Sequence, residues 1–237
     1  MNKTKTYIFL LAIIVLCTWL VFVVLLQARE KEEWMMENKS ETIKLPEPKY
    51  DSNTSIEKAL LKRRSVREYK DEPLILTQIS QLLWAAQGIT DPRGLRTSPS
   101  AGALYPLEVY IVVGNVKDLQ DGIYKYKPYK HELERIVKGD KRNELCNAAL
   151  GQTCIRSAAA VIVFSAVYER ITVKYGERGI RYVYIEAGHA AQNVFLQAVS
   201  LDLGAVVIGA FYDNEVKKVM KMPDREQPIY IMPVGRK

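Results

Sequence analysis

The run AVIVFSA at residues 160–166 constrains the fold most. Its β-branched content and lack of charge suit a strand buried within a sheet, and such a strand requires neighbouring strands and covering helices. The rest of the chain supplies both. LEVYIVV (Leu107 to Val113) reads as a second strand, and Gly122 to Tyr126 with His131 to Ile136 reads as a hairpin. AVVIGAF (205–211) and PIYIMPVG (228–235) complete the strand set. Helical patterns alternate with these. One runs from Ser55 to Lys62, and a second is capped by Thr77, carries Ile79, Leu82, Leu83 and Ala86 on one face, and ends at Gly88. A third begins at Asp140 and reaches Leu150; the longest runs from Arg178 to Leu203 and stops at Gly204; a short one spans Asp213 to Met220. This interleaving predicts an α+β or α/β class, and the hairpin favours a mixed or antiparallel sheet.

Before this domain, Tyr7 to Leu26 carries no charge. At about 1.5 Å per residue that stretch spans roughly 30 Å as a helix, the thickness of a bilayer core. The expectation is a tip (1–6), a single-pass anchor (7–26), a charged, proline-bearing linker (27–50) and one globular domain (51–237). A lipid bilayer is then a partner through residues 7–26. Membrane localisation follows, with a slight lean to an extracytoplasmic domain.

The chain has 237 residues and a net charge of +7. Residues 1–50 hold 7 Lys+Arg and 6 Asp+Glu, so the remainder carries 27 against 21, or +6. A basic surface suits nucleic acid, anionic lipid or a phosphorylated ligand; no nucleic-acid motif accompanies it, and no nucleic-acid partner is expected. Cys17, Cys146 and Cys154 form no CxxC pair, and His131 and His189 are the only histidines, so no metal site is expected.

Three clusters could carry chemistry. Arg63-Arg64-Ser65-Val66-Arg67 closes the first helix with guanidinium groups and a hydroxyl, which match phosphate oxygens; a solvated basic helix end is the plainer reading. In Ser98-Pro99-Ser100-Ala101-Gly102-Ala103-Leu104-Tyr105-Pro106, two prolines bound a turn whose small residues leave the backbone open to close approach. The last strand ends at Pro233-Val234-Gly235, followed by Arg236 and Lys237.

Taken in this order, RRSVREY, PLILTQISQLLWAAQG, RTSPSAGALYPLEVYIVV, GIYKY, EAGHAAQNVFLQAVSLDLGAVVIGAF and PIYIMPVG resemble the nitroreductase family of flavoproteins over nearly all of residues 55–237. The chain is similar above all to the SagB/ThcOx branch, which oxidises azoline rings in peptide natural products. The resemblance implies a nitroreductase-like α+β fold with a central mixed, largely antiparallel sheet flanked by helices. It also implies a homodimer with FMN at the subunit interface.

By the same resemblance, Arg63, Arg64, Ser65 and Arg67 hold the FMN phosphate, ribityl chain and pyrimidine edge, and Arg236 and Lys237 reach the phosphate. Pro99, Ser100, Ala101 and Gly102 pack on the flavin from the partner subunit. Ile208, Gly209 and Ala210 lie near flavin N5, where Gly209 replaces the glutamate that many nitroreductases carry. Lys174 and Tyr175 match a Lys-Tyr pair assigned to acid/base work in the azoline-oxidising branch; an ordinary surface pair at a helix end is the alternative. His189, with Glu186 at i−3 and Asn193 at i+4, reads as a hydrogen-bonded helix histidine.

The implied function is an FMN oxidoreductase that passes hydride through N5 by a ping-pong mechanism, with NAD(P)H as a possible donor. Its substrate is a nitro or quinone acceptor or an azoline-like, peptide-derived heterocycle. The rival is a membrane-tethered flavin-binding electron carrier or sensor without a small-molecule substrate of its own.

Overall fold

The structure is a computed structural model that describes residues 19, 25–27, 29 and 41–237. Backbone contacts divide the chain into two units, Met1–Ser40 and Glu41–Lys237. The second is the α+β domain, and it takes in residues 41–50, which the sequence assigns to the linker. Its elements, in chain order, are β1 (Thr42–Lys44), α1 (Ile56–Lys62), β2 (Leu74–Ile75), α2 (Leu76–Gln87), β3 (Leu107–Val113), β4 (Val116–Lys117), β5 (Gly122–Lys127) and β6 (Glu132–Lys138). There follow α3 (Arg142–Ala148), α4 (Cys154–Ser157), β7 (Ala160–Ala166), α5 (Glu169–Tyr175), α6 (Arg178–Ser200), β8 (Leu203–Ala205), α7 (Asp213–Met220) and β9 (Gln227–Arg236).

Seven strands form one sheet in the order β1-β6-β5-β3-β7-β9-β8, every neighbouring pair antiparallel. Among the described residues, parallel pairing of strands is confined to the separate two-stranded β2-β4 ribbon. Strand β7, the AVIVFSA run, lies between β3 and β9, and all seven of its residues are buried. Its side chains alternate between two cores, as a period of two requires. Ala160, Ile162, Phe164 and Ala166 face the layer holding Leu82, Leu83, Val183 and Val194 of α2 and α6. Val161 and Val163 face the layer holding Leu145, Ile155, Val216 and Met220 of α3, α4 and α7.

Several element boundaries differ from the sequence reading, three of them instructively. Helix α2 starts at Leu76, and the side chain of Gln78, not Thr77, satisfies its N-terminus by accepting from the Ile75 N–H at 3.1 Å. Helix α6 ends at Ser200, and Gly204 belongs to strand β8. The strand expected over 205–211 stops at Ala205, leaving an isolated bridge between Ile208 and Ile231. Proline explains the break. Val206 donates to the Pro233 carbonyl at 3.3 Å, but Pro233 has no N–H to return the second bond of that pair.

The membrane localisation is corrected. Among the described residues no helix is long and apolar enough to cross a bilayer. Helix α6 has the length, 23 residues, but carries Arg178, Arg181 and Glu186, which a hydrocarbon core would reject. The stretch Tyr7 to Leu26 lies outside the described residues apart from Trp19, Leu25 and Leu26.

Candidate functional site

Two segments far apart in sequence meet at the β8 edge. Ser65 forms a parallel bridge with Ala205, and the Val66 N–H donates to the Ala205 carbonyl at 2.9 Å. On β9, Arg236 pairs with Leu203 and also accepts from the Lys70 N–H at 2.9 Å. Residues 63–70 thus wrap the end of the β8-β9 pair, with Arg63 to Arg67 on one side and Arg236 on the other.

Two glycines permit this approach. A Cβ on Gly204 would lie 2.6 Å from Val66 Cγ1 and 2.8 Å from Val66 Cβ. One on Gly235 would lie 2.8 Å from Tyr69 Cγ. Those neighbours sit close to the backbone and cannot rotate away. Tyr69 then locks the wrap by donating to the carbonyls of Val66 (2.8 Å) and Pro233 (3.2 Å). Gly204→Ala is expected to lower stability by about 1–3 kcal/mol through overpacking. The denaturant midpoint measures this, and an unchanged midpoint would mean that the arm is not seated on β8.

Among the described residues, none of Arg63, Arg64, Arg67, Lys70 and Arg236 has an ion pair with a carboxylate; of the basic residues here only Lys237 does, at 3.1 Å from Asp202. Arg63 stacks over Phe195 at 5.2 Å, and Arg64 folds onto the carbonyls of Leu61 and Arg63. Lys237 is thus paired with an acidic neighbour, in contrast to Arg236.

The Pro99–Gly102 turn is strained. Gly102, Ala103 and Tyr105 have positive φ of 63°, 54° and 46°, and the two non-glycine residues each cost on the order of 1–2 kcal/mol. The turn is held by Ser100, whose Oγ accepts from the Tyr105 N–H at 2.9 Å and whose carbonyl accepts from the Ala103 N–H at 3.0 Å.

Against it stand Lys174 and Tyr175, the last residues of α5. A Cβ on Gly102 would lie 2.8 Å from Tyr175 Oη and 3.0 Å from Lys174 Nζ. Lys174 Nζ sits 5.4 Å from the Tyr175 ring centroid, and Tyr182 packs edge-on to Tyr175 at 5.2 Å. Arg170, one turn earlier on α5, donates to the Tyr105 carbonyl at 3.2 Å and pairs with Glu108. The helix carrying the Lys-Tyr pair is thereby fastened to the end of the turn it touches.

The third predicted segment is less regular. Ile208 exchanges two backbone bonds with Ile231 (2.8 and 3.0 Å), Gly209 lies beside Tyr230, and the Ala210 carbonyl accepts from Gln152 Nε2 at 2.9 Å. Within one chain, no hydrogen bond or ion pair joins the arginine cluster to the Pro99–Gly102 turn among the described residues. A cleft of about 940 Å³, lined by Tyr50, Gln78, Trp84, Asn193 and Gln197, contains none of the predicted site residues. The cations at the β8 edge lie outside this cleft.

The expectation for His189 is corrected. His189 is exposed, and neither expected partner serves it: Asn193 donates to the Thr97 carbonyl (3.2 Å) and Ser98 Oγ (3.0 Å), while the Glu186 carboxylate is buried without a well-formed hydrogen bond.

Comparison with known proteins decides the family. The model of the Nitroreductase family matches residues 60–236. The chain belongs to the nitroreductase family. A candidate nitroreductase of Methanocaldococcus jannaschii is 52% identical over 182 residues, covering 77% of this chain and 91% of that protein. The microcin B17-processing protein McbC of Escherichia coli is 29% identical over 158 residues, covering 64% of this chain and 58% of McbC. The chain therefore spans little more than half of that processing protein. Among solved structures, a candidate nitroreductase from Ralstonia eutropha superposes with a TM-score of 0.73 at 32% identity, covering 82% of this chain and 89% of the other. This nitroreductase-family chain is accordingly an oxidoreductase by family, with the α+β fold of its relatives.

Proposed function

We propose that this nitroreductase is an FMN-dependent oxidoreductase, acting as a homodimer with its flavin sites at the subunit interface. The observation that carries the reading is the set of five cations, Arg63, Arg64, Arg67, Lys70 and Arg236, brought to one sheet edge with no carboxylate among the described residues paired to any of them. Cations gathered without counter-ions fit a phosphate, which guanidinium groups grip in bidentate fashion. FMN bound there would supply a ring able to take a hydride from a donor such as NAD(P)H and to return two electrons to an acceptor.

The chain's own residues supply the rest. Arg63, Arg64 and Arg236 bind and orient the phosphate end, with Ser65 and Arg67 along the ribityl chain and Lys237 at the margin. The strained turn at Pro99, Ser100, Ala101 and Gly102 presents a small-residue face to the ring of the partner subunit and excludes water there. Ile208, Gly209 and Ala210 offer backbone rather than a carboxylate near the reacting edge. Lys174 and Tyr175, at the Gly102 surface, would hold or move the proton that must leave a substrate carbon or nitrogen as hydride departs.

A peptide-derived heterocycle is the substrate that best uses such a pair, and the likeness to McbC favours it; nitro and quinone acceptors are the simpler class. With the FMN-loaded protein, varying NAD(P)H against a quinone should give parallel double-reciprocal lines. Intersecting lines, or no turnover with any donor and acceptor pair, would contradict the proposal.

A further inference from the structure

Beneath the turn lies a buried polar cluster that the proposed chemistry does not use. Glu186 of α6 is 2% exposed, and neither carboxylate oxygen has a hydrogen-bond partner. Gln87 Nε2, at the end of α2, and Arg96 Nε, in the following loop, are likewise buried and unpartnered. Ser100, Arg96 and Gln87 are the groups that face Glu186. Arg96 is already held, donating to Gln87 Oε1 at 2.8 Å and stacked over the Tyr105 ring at 4.5 Å. Ser100 Oγ accepts from the Tyr105 N–H, so its own hydroxyl proton remains to be given. The buried Glu186 carboxylate thus lies within hydrogen-bonding reach of Ser100 and Gln87 without a well-aligned bond to either. Buried polar groups in folded proteins are nearly always paired, so an open pair of this kind marks a bond that can be made or released.

We propose that Glu186 is a positioning residue: its ionised carboxylate accepts the Ser100 hydroxyl and seats the Pro99–Ala103 turn, and protonation releases it. This rests on the proposed flavin site only for its consequence, a tighter grip on the ring when the turn is seated. Burial pushes the Glu186 carboxyl up to about 7, against the opposing pull of Ser100, Arg96 and Gln87. The release therefore falls in the neutral range, with the turn seated above it and loosened below it.

Other titratable and charged groups face the cluster. Arg96 carries the nearest positive charge, and Tyr105, Tyr129 and Glu108 surround Arg96. Lys174 and Tyr175 of α5 approach across Gly102. His189, about one turn along α6, is exposed, and a His189→Gln variant serves as a control.

The test reads the Tyr105 amide, whose N–H bonds Ser100 Oγ. Its hydrogen exchange is followed in the full chain without added flavin between about pH 5.5 and 8.5, corrected for the intrinsic rate. Protection should rise about tenfold with pH in the wild type, equivalent to one pKa unit of differential interaction, and stay flat in Glu186→Gln. FMN affinity, read by flavin fluorescence, should follow the same curve. Should Glu186→Gln not fold, Ser100→Ala carries the test: the labelled Glu186 carboxyl still titrates, but FMN affinity no longer follows it. Equal pH dependence of exchange in wild type and Glu186→Gln, or of affinity in wild type and Ser100→Ala, overturns the positioning role. If exchange behaves as described while FMN binds to none of the proteins, the flavin reading fails and the Glu186-Ser100 link stands.

Discussion

Lys174→Ala is expected to lower turnover about 10²- to 10⁴-fold, the range that a positioned acid or base contributes, with flavin binding unchanged. The geometry motivates the size. Lys174 Nζ and Tyr175 Oη converge within about one atom's width of the space above Gly102, on the turn proposed to cover the ring, and α5 is pinned there by Arg170. A residue that only stabilised the fold would lower activity and flavin occupancy together. Kinetics of the FMN-loaded variant separate the two. An acid/base role lowers kcat with little change in flavin Kd; a Lys174→Ala enzyme with wild-type kcat on every substrate returns the pair to an ordinary helix end. Tyr175→Phe should show a smaller loss, since it keeps the edge contact with Tyr182 and removes one hydroxyl.

The second large effect concerns affinity. Arg64→Ala or Arg236→Ala should each weaken FMN binding by about 10- to 100-fold, since a hydrogen bond to a charged group contributes roughly 1.5–3 kcal/mol. The double variant should fall short of the product of the two, because residues serving one phosphate are coupled. Lys237→Ala should change affinity least, its ammonium being paired with Asp202. Fluorescence titration at fixed ionic strength measures all three. Equal losses at Arg64, Arg236 and Lys237 would point to diffuse attraction by the net positive charge and not to a built phosphate seat.

Much of the scaffold was legible in the sequence because local chemistry decides it. The AVIVFSA run, the 122–138 hairpin and helix α7 each carry their own period, and β7 and α7 have the bounds read from sequence alone. What escaped depends on contacts between distant residues. The strand after β8 fails because its partner across the ladder is Pro233, a residue 27 positions further on. Gly204 and Gly235 read as a helix stop and a strand end, yet their use is to admit Val66 and Tyr69. Glu186 looked like a partner for His189 by helical spacing, but the helix turns it inward beneath Ser100.

The site was legible only in part for the same reason. RRSVR and the terminal Arg236 are basic wherever they stand, and nothing in their spacing reveals that β8 lies between them. The Lys174-Tyr175 pair gains its significance from touching Gly102, 72 positions before Lys174. Absence of a counter-ion is likewise invisible in a sequence with 27 acidic residues to offer.

Titration of the purified full-length protein with FMN, followed by flavin absorbance and fluorescence, tests the central claim most directly. Saturable binding of one FMN per chain, weakened by Arg64→Ala and by Arg236→Ala, is the predicted result. A protein that stays colourless after incubation with excess FMN, with no change in flavin emission, would contradict the assignment of those cations to a flavin phosphate.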